Sequence, residues 1–425
     1  MIRFFYTLLL VIASPILLLI LYRKKTGKPT FGKRWKEHFG FTPAVFKSEN
    51  QKILWIHAVS VGEVIGVSSL IKAIKQQNPS YKIVVTTTTA TGAQQVEKLG
   101  ELVEHRYMPI DFAWTVRGFL KSVRPDEMII METELWPNTL VTVSKKKIPI
   151  TVINARLSER SANRYQRFPS IFKLFSLSIT KILCQHQDDA NRFLKLGVPL
   201  EKLTVTGSLK FDITIDLNWI EKGKELREQL TSNKLNSFVW IAASTHQGED
   251  EQILDAHQQL LDSYPQSILI LVPRHPERFD SVYQLIQDQG LTVSRRTEKE
   301  FQQDAQVYLA DTMGEMLILM AASDICFMGG SLLGEKVGGH NLLEPAALGV
   351  PTITGPSYYN FSDITEQLVQ AKATSICTDA KSLSQQVMVL FSQKEILKEK
   401  GKQSLAVVQR NTGAIDKTLQ TLNLK

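Results

Sequence analysis

Short apolar runs, each bounded by turn or polar residues, recur along nearly the whole chain with amphipathic helical patterns between them. The first set lies at 53–58, 82–88, 127–131, 149–153, 181–184 and 203–206. The second lies at 238–243, 267–272, 307–309, 324–328, 350–354 and 373–376. Strands that alternate with helices in this way specify parallel sheets covered on both faces. A chain of 425 residues also exceeds one ordinary core. The expected class is therefore α/β, with two Rossmann-like domains facing a cleft, one over 26–212 and one over 237–405. The polar, helix-favouring stretch 220–231 suggests a linker over 213–236. Residues 406–425 read as a C-terminal helix whose packing partner the sequence does not reveal.

Residues 4–22 are almost all apolar, broken only by Thr7, Ser14 and Pro15. A membrane-crossing helix needs about 20 such residues. Arg23, Lys24 and Lys25 follow at once, then Lys28, Lys33, Arg34 and Lys36. The first 50 residues hold nine Lys or Arg against two acids, so +7 of the chain's net +8 belongs to this end. Residues 1–25 thus read as an uncleaved membrane anchor, with the rest in the cytoplasm and the basic cluster on anionic lipid of the inner leaflet. A cleaved signal peptide is the rival, but its basic region would be Arg3 alone and no cleavage-type site follows. Nucleic acid is not expected, since no binding motif accompanies the charge. Cys184, Cys326 and Cys377 each sit in or beside an apolar run without a CxxC pair, so they read as buried thiols. The eight histidines show no metal-ligand spacing.

Several loops at strand ends carry candidate chemistry. His57-Ala58-Val59-Ser60-Val61-Gly62-Glu63 joins an apolar run to a helix, and ligands of open α/β sheets bind beyond the carboxyl ends of the strands. Glu63 can act there as a base, or it can pair with Ser60 as a capping box. Glu132, within Met131-Glu132-Thr133-Glu134-Leu135-Trp136-Pro137-Asn138, places acid on the same rim. It is either part of an acid/base pair or a partner for a basic side chain. Lys210 in Thr206-Gly207-Ser208-Leu209-Lys210-Phe211-Asp212 can supply positive charge to an anion, though a lone lysine is usually a solvated one. Pro273-Arg274-His275-Pro276-Glu277-Arg278 suits a phosphate, with a salt-bridged loop as the alternative. Thr312-Met313-Gly314-Glu315 and Asn341-Leu342-Leu343-Glu344 have capping-box spacing, so each is expected to open a helix with free N–H groups for phosphate. The stretch 329–340 between them is rich in glycine, allowing close backbone approach to a ligand. Arg156, Arg160, Arg164 and Arg167 precede Phe168, Ile171, Phe172 and Phe175. That order suits lipid headgroups and acyl chains, or an ordinary amphipathic helix.

The stretches HAVSVGE, METELWPN, NARLSERS, TGSLKFD, ASTHQGE, LVPRHPERF, DTMGEM and GGHNLLEPA fall in order between residues 57 and 347. Together they resemble the transferases of 3-deoxy-D-manno-octulosonic acid (Kdo) of Gram-negative bacteria. The resemblance covers essentially the whole chain. It implies a GT-B fold, CMP-Kdo as donor, the phosphorylated and acylated glucosamine disaccharide of lipid A precursor (lipid IVA) as acceptor, and inversion at the anomeric centre. It implies Glu63 as the proton acceptor, and Glu132 and Lys210 as transition-state stabilisers. It implies CMP contacts at Pro273, Arg274, Met313, Gly314, Glu315, Asn341, Leu342, Leu343 and Glu344. Ser60, Gly62, Arg156 and Arg160 are the candidate acceptor contacts. No metal and no other cofactor is expected. A GT-B enzyme using another sugar nucleotide, such as a UDP-sugar transferase or an epimerase, is the alternative, and a non-catalytic tethered binding protein a more distant one.

Overall fold

Runs such as Ile53-Leu54-Trp55-Ile56 and Ile268-Leu269-Ile270-Leu271 have no polar face, so a strand built from them must be covered on both sides. The structure, a computed structural model, describes residues 2–23, 29–49, 51–213, 215–231, 237–298 and 302–423. It divides into two compact units, 1–212 with 411–425, and 213–410. The basic residues Lys24, Lys25 and Lys28 lie outside the described residues, as do Thr214 and 232–236 of the expected linker.

The first unit holds β1 (Ile53–His57), β2 (Lys82–Thr87), β3 (Glu104–Tyr107), β4 (Glu127–Met131), β5 (Ile150–Ala155), β6 (Lys181–Cys184) and β7 (Leu203–Val205). All pairs are parallel, in the order β3-β2-β1-β4-β5-β6-β7. Its helices are α1 (Ile2–Tyr22), α2 (Val61–Gln77), α3 (Ala90–Glu97), α4 (Ala113–Val123), α5 (Pro137–Lys145), α6 (Glu159–Arg167), α7 (Pro169–Ser176) and α8 (Gln187–Lys195). Alternate residues of one strand enter opposite cores: Ile53 and Trp55 pack with Phe119 and Leu140, while Leu54 and Ile56 pack with Val64 and Leu70.

The second unit holds α9 (Leu217–Thr231), β8 (Val239–Thr245), α10 (Asp250–Ser263), β9 (Ile268–Pro273), α11 (Phe279–Asp288), β10 (Val293–Arg295), β11 (Val307–Leu309), α12 (Met316–Ala321), β12 (Ile325–Met328), α13 (Leu343–Ala347), β13 (Thr352–Thr354), α14 (Ser362–Gln370), β14 (Thr374–Ile376), α15 (Ala380–Ser392) and α16 (Lys394–Asn411). Its parallel sheet runs β10-β11-β9-β8-β12-β13-β14. The last helix, α17 (Ala414–Leu422), belongs to the first unit, where it packs on α2. All three cysteines are free and buried.

Three expectations are corrected. β3 and β10 have no counterpart among the expected strands, because Glu104-His105-Arg106-Tyr107 and Val293-Ser294-Arg295 are short edge strands with charged side chains, as edges require. The stretch 213–236 is no mere linker: α9 packs on α12, and Arg227 donates to Asp324 at 2.9 Å and to the Ala322 carbonyl. A break at 405/406 falls inside α16, and the C-terminal segment turns instead at Thr412 and Gly413 before α17.

α1 is 21 residues long with a mean hydropathy of 2.6 in its most apolar window, and none of it is buried. Length and composition allow it to cross a membrane. Its polar residues nonetheless dock on the first unit at both ends. Arg3 donates to Asn138 Oδ1 at 2.7 Å, Tyr6 donates to the fully buried Asp111 at 2.9 Å, and Tyr22 Oη lies 2.7 Å from His38 Nδ1.

Gly223 tests the placement of α9. A Cβ there would stand 2.5 Å from Ala321 Cβ and 2.9 Å from the Ile318 carbonyl. Gly223→Val is therefore expected to cost about 1–3 kcal/mol by overpacking, read as a lower urea midpoint. A linker helix would tolerate the change.

Candidate functional site

In the first unit the strand order reverses between β1 and β4, and the loops leaving those two strands carry Glu63 and Glu132. A reversal of this kind opens the crevice in which α/β proteins bind ligands. Ser60 is the N-cap of α2, and its Oγ accepts from Glu63 N–H at 3.4 Å. The Glu63 carboxylate reaches back past the expected capping partner. It accepts from Val59 N–H at 2.9 Å and from Ser60 Oγ at 3.1 Å. Glu63 is only 9% exposed. Burial pushes its pKa up to about 7; the Val59 N–H and Ser60 bonds oppose this, and the charges of Glu132 and Glu134 add to it. Burial, aided by Glu132, also raises Glu134.

Lys210 Nζ lies 3.5 Å from Glu132 Oε1, both partly exposed, so the structure brings together the two residues expected to stabilise charge. Their backbones are held by unusual geometry. Glu132 has φ +59 and Asn154 φ +52, and a non-glycine residue in that region stores strain. Asn154 Oδ1 accepts from Leu209 N–H at 3.1 Å and so fixes the turn Leu209–Phe211 that carries Lys210. Asp212 accepts from Gly413 and Ile415 N–H, which ties α17 to the same turn. Gly62 is exposed, with only Ser60 Oγ near where a Cβ would stand, and Arg156, just before α6, and Arg160, in its first turn, are exposed. Phe172 and Phe175 are core residues, whereas Phe168, Ile171, Arg164 and Arg167 are exposed.

In the second unit the reversal falls between β8 and β12. Gly329 lets their loops close on each other: a Cβ there would stand 2.7 Å from the Ser244 carbonyl. Pro273 ends β9 in the core, and Arg274 is exposed just beyond it. Arg278 is engaged elsewhere, by Asp250 and the Thr245 carbonyl. Within the expected phosphate loop, therefore, Arg274 suits an anion and Arg278 holds structure. Glu344 is half-buried; burial raises its pKa and Arg274 opposes the shift.

Two expected helix starts are corrected. Glu315 closes no capping box, because α12 begins at Met316; its carboxylate takes the Thr312 hydroxyl and a two-pronged contact from Arg296, at 2.9 and 3.2 Å. These bonds, Arg296 first, hold the Glu315 pKa down. Met313 and Gly314 stand exposed in front of it. Asn341 Oδ1 accepts from Leu343 N–H at 3.1 Å, but α13 spans only Leu343–Ala347 and Leu342 and Leu343 are buried. Among the described residues no group of three or more His, Cys, Asp or Glu is placed to hold a metal ion.

Sequence reasoning gave no role to Asn154, Glu249, Arg296 or the histidines His246 and His340. Glu249 had a visible signal, since it stands three residues after His246 and takes its N–H at 3.1 Å. The others gain partners only through contacts distant in sequence.

A model of the 3-deoxy-D-manno-octulosonic-acid transferase (kdotransferase) family matches residues 33–213. The 3-deoxy-D-manno-octulosonic acid transferase of Haemophilus influenzae is 39% identical over 423 residues, covering 99% of this chain and 98% of that protein. The chain belongs to the Kdo transferase family. Among solved structures, the UDP-GlcNAc 2-epimerase of Neisseria meningitidis bound to UDP-GlcNAc shares the fold at TM-score 0.57 and 18% identity, over 88% of this chain and 100% of that one. A glycosyltransferase of Rickettsia africae does so at TM-score 0.55 and 12% identity, over 88% and 98%. This Kdo transferase thus has the two-domain α/β fold of the GT-B type.

The raised Glu63 pKa has a thermodynamic consequence with a definite sign. A carboxyl that holds its proton more tightly when folded stabilises the fold below its unfolded pKa and loses that contribution as pH rises through the folded value. The window is from about 4.5 to about 7. Denaturation at pH 5 and pH 8 should show wild type losing on the order of 2–3 kcal/mol more than Glu63→Gln. Equal losses would mean that Glu63 titrates normally.

Proposed function

We propose that this Kdo transferase moves Kdo from CMP-Kdo onto the phosphorylated, acylated disaccharide of lipid A precursor, with inversion and with Glu63 as general base. The observation that carries the reading is a buried carboxylate at the strand-order reversal whose pKa is raised to about 7, with Glu132 and Lys210 on the same rim. A base works best when its pKa lies near the operating pH. The Ser60 and Val59 bonds fix the carboxylate, so cap and base are compatible roles for one residue. As the acceptor oxygen attacks the anomeric carbon, its proton passes to Glu63 and the bond to the CMP phosphate breaks. Lys210, oriented by Glu132, offsets negative charge, which is worth most where water is excluded.

For the donor, the reading assigns Arg274 to the phosphate and Glu344 to ribose hydroxyls, with Pro273, Met313, Gly314, Glu315, Asn341, Leu342 and Leu343 as further contacts from the same loops. The family's name supports the Kdo donor, and no bound metal or other cofactor is part of this reading. For the acceptor, Ser60, Gly62, Arg156 and Arg160 are the proposed contacts. Exposed Phe168 and Ile171 beside Arg164 and Arg167 suit an amphiphile carrying phosphate and acyl chains.

The decisive assay is mass spectrometry of lipid A precursor after incubation with enzyme and CMP-Kdo. Transfer is expected, with a rate that rises with pH through about 7 as Glu63 loses its proton. Glu63→Gln should fold, bind CMP and lose about 100- to 10,000-fold in rate. Stabilisation by UDP and not by CMP would favour the alternative sugar nucleotides.

The proposed location is the cytoplasmic face of the inner membrane, on anionic lipid. Docking of both ends of α1 on one unit favours a helix lying in one leaflet over one crossing about 30 Å of hydrocarbon. Leu9, Ile12 and Ile16 are 66%, 67% and 64% exposed. Changing all three to Glu should abolish flotation with anionic vesicles and leave transfer to detergent-dispersed acceptor intact. Unchanged flotation would place the attachment elsewhere.

A further inference from the structure

The loops that leave β8 and β12 meet through two histidines that the proposed mechanism leaves unused. His246 Nε2 lies 2.9 Å from His340 Nε2, and the two rings are parallel within 7°. A neutral imidazole has one N–H and one bare nitrogen, so a contact of this kind holds one shared proton, donated by one ring and accepted by the other. The accepting ring already carries its own proton on Nδ1, so a second proton is added without breaking the contact only at the bare Nδ1 of the donating ring.

The pair is built in. Glu249, fully buried, accepts from the N–H groups of His246, Gly330, Ser331 and Leu332 at 3.1, 2.6, 2.9 and 2.9 Å, clamping the two loops together. His340 lies flat over Gly330, where a Cβ would stand 3.0 Å from its Cδ2 and Nε2. The charged surroundings are mostly cationic. His246 meets His275, whose ring is 5.3 Å away, together with Arg274, Arg278 and Asp250, the last already paired with Arg278. His340 meets Arg274 and His275. Burial first, then His275, Arg278 and Arg274, lower His246 against the opposing Asp250; burial first, then His246, Arg274 and His275, push His340 down to about 4. The pair is then neutral at pH 7. An anion brought to Arg274 cancels the charge that disfavours a second proton.

We propose that His246 and His340 are a phosphate-binding pair for the donor, taking up one proton from solvent when the phosphate arrives and presenting the resulting imidazolium to it. This rests on the second unit being the CMP-sugar site. When the anomeric C–O bond breaks, its electron pair goes to the phosphate oxygen, and the pair's positive charge offsets the dianion that forms. The proton returns to solvent as CMP leaves.

The test uses the full chain and CMP. Calorimetric titration in two buffers of different ionisation enthalpy, at pH 6.5 and 7.5, gives the protons taken up per CMP bound. Wild type is expected to take up roughly half a proton or more beyond His340→Gln at pH 6.5, given the ordinary range of histidine. The variant also subtracts CMP's own titration. Wild-type affinity should fall more steeply with rising pH than that of His340→Gln or of His246→Asn, which guards against a poorly folded first variant. Ring ¹⁵N shifts in wild type should report a protonated histidine in the complex and not in the free protein. Neutral rings throughout, or equal proton uptake with and without His340, would overturn the proposal while leaving the donor site standing. Failure of wild type to bind CMP would remove the donor site itself.

Discussion

A parallel sheet delivers the carboxyl end of every strand to one edge, and where the strand order reverses, two neighbouring loops must leave in opposite directions. Each unit has such a reversal at its two central strands, β1 against β4 and β8 against β12. The proposed chemistry lies beside those loops. Glu63 and Glu132 flank the first, and His246 and the Gly329–Gly330 turn flank the second. The rest of each unit supports these positions, with two apolar cores sandwiching the first sheet and a further core packed on the second.

Beside each reversal sits a buried carboxylate that accepts backbone N–H, with different consequences. Glu249 is engaged by four amides and acts as a clamp between loops. Glu63 accepts from one amide and one hydroxyl, beside two other acids, so burial prevails and its proton is held more tightly. Glu249 therefore serves as a scaffold between loops, whereas Glu63 holds its proton more tightly than an ordinary carboxylate.

The rim of the first unit carries strain that its surroundings over-determine. Glu132 and Asn154 adopt positive φ at the ends of adjacent strands, and the side-chain Oδ1 of Asn154 accepts from Leu209 N–H. Asp212 then binds the start of α17, so the last helix of the chain buttresses the turn bearing Lys210. A C-terminal helix that packs on α2 connects chain ends to the two charged groups proposed to act in transfer.

The fully buried strands were legible in the sequence because strands covered on both faces leave unbroken apolar runs. The edges β3 and β10 were not, because both are short and Glu, His, Arg or Ser breaks up their apolar residues. Glu63, Glu132, Lys210 and Arg274 were legible because each follows an apolar run at a strand's end or closes a short motif. Local spacing misled at Thr312 and Glu315, where a distant Arg296 claimed the carboxylate that capping would have used. It was silent on the His246–His340 contact, which joins residues 94 apart. The sequence by itself determined most of the strands, which ends carry acid or base, and the family. Only the tertiary structure decided what each side chain meets, because pKa, pairing and strain are set by neighbours that the fold brings from elsewhere in the chain.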